Sequence, residues 1–226
     1  MIPPTSETTS ISKNLPVDRY VIFKNFNYYY EGRIVDVTSD GNKTLYSVIS
    51  FATFEYFRVT ESELITQTSL ESKRRYKPSM NCENFTGIRM PSILKNRLRA
   101  DKDYYSVNYK QYPVTVPINR VLEEFMVFFK LNSPLYEINE MAEVHQAFKE
   151  LFNTFLPVCL LYDKEQLEVK EDYTLHFGPI HLLRLLYFIQ KNNNKFVEDT
   201  ATLIAVSDYT IYLIDFLNYK YQEYFT

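Results

Sequence analysis

The spacing of apolar residues changes period partway along the chain. In residues 17–23, 29–37, 45–51 and 54–59, Val, Ile, Tyr and Phe gather into short runs separated by polar residues. Runs of β-branched and aromatic residues at this length predict strands. Between the second and third runs lies Thr38-Ser39-Asp40-Gly41-Asn42, whose Asp-Gly pair is a strong hairpin signal. Residues 60–65, beginning Thr-Glu-Ser-Glu, read as a short capped helical turn. Short strands following one another this closely, ended by a helical turn, predict a small β-barrel over residues 15–67.

From residue 88 onward the apolar period becomes helical. Ile88, Ile93, Leu94 and Leu98 line one face of a first helix, with Pro91 near its first turn. An aromatic connector over residues 104–117 separates it from a second helix, in which Ile118, Val121, Leu122, Phe125, Phe128 and Phe129 hold the 3–4 spacing. A third, roughly residues 140–156, carries Met141, Val144, Phe148, Leu151, Phe152 and Phe155 on one side, and Pro157 predicts its kink or end. Residues 163–172 are acidic and aperiodic, which predicts an irregular excursion. The last helical stretch, about residues 198–221, contains Leu203, Ile204, Ile211, Leu213, Ile214, Phe216 and Leu217.

Residues 177–189 stand apart. Gly178-Pro179 marks a helix start, and apolar side chains then cover nearly every side of the helix from Leu182 to Ile189. A helix of that kind is buried around most of its circumference. His181 and Arg184, three residues apart, share one face of it. Burying Arg184 among leucines is costly unless its donors are paired. Two placements satisfy that condition: an internal carboxylate or helix-end carbonyl, or the rim of an apolar peptide-binding groove. The fold class is therefore α+β in two domains, a small barrel followed by an all-α domain.

Composition narrows the function. The chain has 226 residues, 46% apolar and 23% charged, with a net charge of −3. That is ordinary globular composition and gives no global attraction to nucleic acid. Only four glycines occur, and no glycine-rich phosphate loop is present in the sequence. Cys82 and Cys159 have no zinc-ligand spacing, which suits a reducing intracellular compartment. The polar first 14 residues read as a flexible tail, and no apolar run is long enough to span a membrane. Residues 68–85 form a linker whose Lys73, Arg74, Arg75 and Lys77 make a local basic cluster. A solvated tether, a nuclear-import signal and a phosphate contact all fit that cluster.

Catalytic chemistry finds little support. His145 borders the apolar stripe of its helix, His176 lies in a loop, and no Ser/His/Asp or Cys/His arrangement follows from local spacing. Glu123-Glu124 and Glu171-Asp172 read as solvated pairs, and no metal or cofactor is implied. Aromatic residues are plentiful (20 Tyr, 17 Phe) although Trp is absent. In a barrel this small, part of the set Phe26, Tyr28, Tyr29, Tyr30, Phe51, Phe54, Tyr56 and Phe57 must be core. The surplus is free to form an aromatic cage for a methylated ammonium.

Several segments, in the same order, resemble the MRG (mortality-factor-related gene) family, the Eaf-type chromatin subunits. Lys149-Glu150-Leu151-Phe152-Asn153-Thr154-Phe155-Leu156 with Leu160-Leu161-Tyr162 resembles the family's Lys-Glu-x-Phe-Asn-x-x-Leu and Leu-Leu-Tyr. Residues 177–185 resemble its Tyr-Gly-x-Pro-His-Leu-Leu-Arg-Leu, with the Pro displaced by one. Met90-Pro91-Ser92-Ile93-Leu94-Lys95 and Leu98 are similar to the opening Ile-Pro-x-x-Leu-Lys, and Tyr212-Leu213-Ile214-Asp215-Phe216-Leu217 to Tyr-Leu-His-Asp-Phe-Leu. More faintly, Tyr30-Glu31-Gly32-Arg33-Ile34 and Val59-Thr60-Glu61-Ser62 are similar to segments of the chromo barrel that precedes the MRG domain in that family.

The resemblance implies a nuclear, non-enzymatic subunit of histone acetyltransferase or deacetylase complexes. It implies an MRG-like domain over residues 86–226 that takes apolar partner peptides in a groove between helices 88–99 and 179–190. Leu94, Leu98, Tyr162, His181, Leu182, Arg184 and Leu185 are the expected partner-binding residues. It also implies a barrel that reads methylated histone lysine. Here the family's Trp-containing cage is replaced by Tyr30, Phe51, Phe54 and Phe57, with Asn25 near the position of its His; Phe is a poorer cation–π partner than Trp. Expected partners are other subunits of such a complex and a histone tail or nucleosome. The reading from a different class is a nucleic-acid-binding module using Lys73, Arg74, Arg75 and Lys77 with the barrel aromatics.

Overall fold

The structure is a computed structural model that describes residues 15–26, 28–40, 43–65, 89–108, 114–133, 137–165, 168, 170–196 and 200–226. The expected tail over 1–14 and linker over 68–85, with Lys73, Arg74, Arg75, Lys77 and Cys82, lie outside the described residues, as do Gly41 and Ile88.

Five strands form one antiparallel sheet: β1 (Tyr20–Asn25), β2 (Tyr28–Asp40), β3 (Lys43–Ser50), β4 (Tyr56–Thr60) and β5 (Leu64–Ile65). Their order is β4-β3-β2-β1-β5, and edge strands β4 and β5 do not pair with each other. The sheet is therefore open where a closed barrel was expected. It is nonetheless tightly curled. Only a single 3-10 turn, Glu61–Glu63, carries the chain from one edge strand to the other. Three such residues rise about 6 Å, whereas five flat strands would hold their edges about 19 Å apart. The Glu63 carboxylate ties off that turn, accepting from the Thr60 amide at 2.7 Å and its hydroxyl at 2.9 Å. Leu64 and Ile65, expected within the turn, instead add the fifth strand beside Ile22 and Phe23.

Strand alternation gives the curled sheet two buried faces. Val21, Phe23, Ile34, Tyr46, Val48 and Val59 point inward and form its own core. On the other face, Tyr20, Glu31 and Arg33 point towards the helices. Gly32 lies where β2 crosses closest to β3: a Cβ there would stand 2.3 Å from the Ile49 carbonyl oxygen, so no other residue fits without moving the backbone.

Among the described residues, six α-helices follow: α1 (Ser92–Val107), α2 (Ile118–Asn132), α3 (Ile138–Phe155), α4 (Pro179–Phe196), α5 (Thr200–Tyr219) and α6 (Tyr221–Phe225). Helix α1 runs into the segment read as an aromatic connector, since Tyr104 and Tyr105 continue its helical period. Its buried side is Leu94, Asp101 and Tyr105, while Ile93 faces solvent, so the core stripe is rotated from the one expected. Pro157 acts as expected. It cannot supply an amide to continue α3, and the chain widens into a π-helical turn, Leu156–Leu160, before becoming extended at Leu161. Helix α4 is central: Leu182, Leu183, Leu185 and Leu186 are all fully buried.

Sheet and helices share one core. Tyr20 and Phe51 belong to the helical cluster, where their rings meet edge-on at 5.0 Å and each packs against Tyr212. Within this contact, Arg33 of β2 grips Asp215 of α5 through Nε–Oδ2 at 2.7 Å and Nη2–Oδ1 at 3.2 Å. The third guanidinium nitrogen donates to Asp18 at 2.8 Å, and Tyr219 lies under the plane at 4.9 Å. Beside it the Tyr212 hydroxyl donates to Glu31 at 2.7 Å. The sheet is docked on the helical part, not merely tethered to it.

Candidate functional site

Two connected features occupy the region between α1 and α4: a buried charged network and an open cavity above it. The network centres on Arg184, 5% exposed. Its Nε and Nη2 donate to the two oxygens of Asp101 at 2.7 and 3.0 Å, the fork-to-fork geometry that makes guanidinium–carboxylate pairs strong. Nη1 donates to Glu165 at 2.5 Å and to the Leu160 carbonyl at 2.9 Å. That carbonyl ends the π turn, where the extended Leu161 leaves it without a helical donor. Tyr162 stacks over the guanidinium at 4.0 Å and Tyr105 lies at 5.3 Å.

Glu165 joins the network to His181, whose Nε2 is 2.9 Å from its second oxygen. Burial works against the Glu165 charge. The hydrogen bonds from His181 and Arg184, with that of the Tyr162 amide, nevertheless hold its pKa down at about 2. Burial pushes His181 below the usual histidine range despite Glu165, so the ring is neutral and donates through Nε2. Burial likewise raises the Tyr162 phenol to about 12. Two carboxylates and one guanidinium thus sit engaged with one another, an arrangement that fixes geometry. Among the described residues, no group of three or more His, Cys, Asp or Glu side chains is arranged to hold a metal ion.

The cavity, about 670 Å³, opens between α1, the π turn and α4. Its apolar wall is Leu98, Leu160, Tyr162, Tyr187 and Phe188, and Arg184 reaches it from beneath. This size lies within the range of ordinary ligand clefts.

Of the residues expected to bind a partner, Leu98, Tyr162 and Arg184 line the cavity. Leu94, Leu182 and Leu185 are fully buried core positions. His181 is also buried, its ring edge against Phe177 at 4.8 Å. Of the two placements open to Arg184, the structure shows the internal one: every donor nitrogen is committed to the chain's own acceptors. Asp101 carries a signal that the sequence reading passed over. It falls seven residues after Leu94 on the same helical face, a carboxylate in a core stripe. Glu165 carries none, since it lies in an aperiodic segment.

The four aromatic residues expected to form one cage separate into two groups. Tyr30 and Phe57 stack at 5.9 Å, each against Phe23, on the inner face of the curled sheet. Phe51 and Phe54 pack into the helical cluster on the outer side. Asn25 sits at the end of β1, paired with Tyr28. Strand alternation puts Tyr30 and Phe57 on one face, whereas Phe51 and Phe54 lie in the connection between β3 and β4 and pack against the helices.

Residues 63–226 match the MRG family, more than half of the chain. The chain is also similar to the protein MRG1 of Arabidopsis thaliana, 27% identical over 117 residues, which make up 48% of this chain and 36% of that protein. The stretch in common thus covers well under two thirds of the relative's length.

Proposed function

Because the chain belongs to the MRG family, we propose that it is a non-enzymatic chromatin adaptor. In this reading it acts in the nucleus as a subunit of a histone acetyltransferase or deacetylase complex and holds a partner protein in the cavity between α1 and α4. The observation that carries the reading is that cavity: an open, mostly apolar recess of about 670 Å³ whose base is a fully satisfied Arg184–Asp101–Glu165 network. A buried network with every donor paired holds the walls in one geometry, and a preorganised recess spends little ordering entropy on binding. Among the described residues no His, Asp or Glu lines the recess, which favours binding over catalysis. The sheet, read as the chromo-barrel-like domain, adds a rigid second surface to the same unit. A methyl-lysine role for it draws no support from Tyr30, Phe51, Phe54 and Phe57, which face two different cores.

Leu98→Glu tests the reading. Leu98 is only partly buried and lines the cavity, so a carboxylate there blocks an apolar anchor while its charge remains in reach of solvent. Affinity purification of the tagged full chain from nuclear extract is expected to bring down subunits of a histone-modifying complex with the wild type and to lose them with the folded variant. Equal recovery with both chains would remove the cavity from the reading, and a wild-type preparation free of such subunits would remove the adaptor role.

A further inference from the structure

The lining of the α1–α4 cavity carries a charge pattern opposite to that of the chain as a whole. The protein has a net charge of −3, yet among the described residues no Asp or Glu lines the cavity, whereas Lys95, Arg99, Lys102 and Lys191 do. The first three follow one another at i, i+4 and i+7 and so form a single stripe along α1. At 1.5 Å per residue that stripe is about 10 Å long, two helical turns of a partner. Lys191 stands on α4 across the recess, its ammonium 5.6 Å from the Tyr187 ring. All four are exposed, and among the described residues no ion pair is made by any of them. Arg184 contributes no free charge, because Asp101 and Glu165 neutralise it.

From this geometry we infer that the cavity takes a segment of a partner protein bearing apolar anchors flanked by Asp or Glu. The inference rests on the adaptor reading and adds the chemistry of the occupant. Apolar side chains of the segment fill the space over Leu98, Leu160 and Phe188. Its carboxylates meet the α1 stripe and Lys191. A protein segment supplies both kinds of group at once. Nucleic acid would meet the cations with phosphates but has no aliphatic anchor for the floor. Acidic flanks also steer the encounter and reject basic competitors.

The test uses the full-length chain and a random peptide library displayed on phage, with the selected sequences then made as labelled synthetic peptides and titrated by fluorescence anisotropy. Selected peptides are expected to place Asp or Glu beside apolar residues. Their affinity is expected to fall at least about ten-fold on the triple replacement Lys95→Glu, Arg99→Glu, Lys102→Glu, since three rim pairs each contribute a fraction of the 1.4 kcal/mol that ten-fold represents. It is also expected to fall as salt rises from about 50 to 300 mM. These rim residues are exposed, so the triple variant should keep the wild-type melting temperature. Peptides that need Leu98 but carry no acidic residues, or that bind the triple variant equally well, overturn the inference and leave the cavity reading standing. Peptides indifferent to both Leu98→Glu and the triple replacement overturn the cavity reading itself. Binding of a short DNA duplex that is lost in the triple variant and kept in Leu98→Glu, with no peptide selected, makes the stripe a nucleic-acid surface and also overturns the inference.

Discussion

Replacing Arg33 by Met removes one charge from the interface between sheet and helices while conserving most of the side-chain volume. Asp215 is 0% exposed, and two of its contacts, at 2.7 and 3.2 Å, are to that guanidinium. In the variant its carboxylate is left buried with no cation, which costs about 3–5 kcal/mol. A domain's total stability is about 5–15 kcal/mol, so a third or more of the whole is at stake. Burial pushes the Asp215 carboxyl up and Arg33 opposes that shift, so without Arg33 the group takes up a proton more readily. The loss should therefore shrink as pH falls towards 5. Removing both partners, Arg33→Met with Asp215→Leu, should recover most of the stability, since a buried pair exchanged for apolar groups is often neutral. Urea unfolding of the full chain provides the assay, followed by far-UV circular dichroism and by the tyrosine signal, since the chain has no Trp. One cooperative transition is expected, shifted as a whole in the single variant. A loss under about 1 kcal/mol would mean the pair behaves like a solvent-exposed bridge. A wild-type curve in two steps, with the helical step unmoved by Arg33→Met, would refute the shared core.

Acid stability follows from Glu165 and His181. Both have folded-state pKa values below their ordinary ones, so the folded chain binds fewer protons and stability rises with pH. The His181 contribution should be lost as pH falls below 6.5, and that of Glu165 as it falls from 4.5 towards about 2. Urea midpoints measured from pH 7 to 5 should decline less in His181→Gln than in the wild type, and identical slopes would remove His181 from the account. Phe26 sits at the β1–β2 tip with φ of 53° and is 87% exposed, so Phe26→Gly should raise the melting temperature by relieving about 1–2 kcal/mol of backbone strain; a lower melting temperature would mean the ring makes contacts that offset the strain. The Tyr20 hydroxyl is buried with no partner among the described residues, so Tyr20→Phe should stabilise the chain by about 1 kcal/mol in the same urea assay, and a loss of that size would reveal a missing partner.

Much of the fold can be read from local periodicity. The period-2 runs became β1 to β4 with ends displaced by a few residues, and the 3–4 spacing of α2 and α3 was visible in full. Pro157 stopped its helix because a residue without an amide cannot continue one. The order of the MRG-like segments, which a linear match detects, was legible for the same reason. Helix α4 announced its own burial, since Leu182, Leu183, Leu185 and Leu186 leave little of its surface for water.

The tertiary structure decided what periodicity does not encode: which polar groups meet. Arg184 required a partner on desolvation grounds alone, but Asp101 is 83 residues away in the chain and Glu165 lies in a stretch with no regular spacing. Arg33 and Asp215 are separated by 182 residues, and their contact exists only because β2 and α5 dock face to face. The same docking took Phe51 and Phe54 out of any cage with Tyr30 and Phe57, because the connection between β3 and β4 that carries them has no period to say what will cover it. Local sequence thus determined the elements and the need for charge pairing inside α4. Long-range packing chose the partners, joined sheet to helices, and left the recess between α1 and α4 apolar along its wall and cationic at its rim.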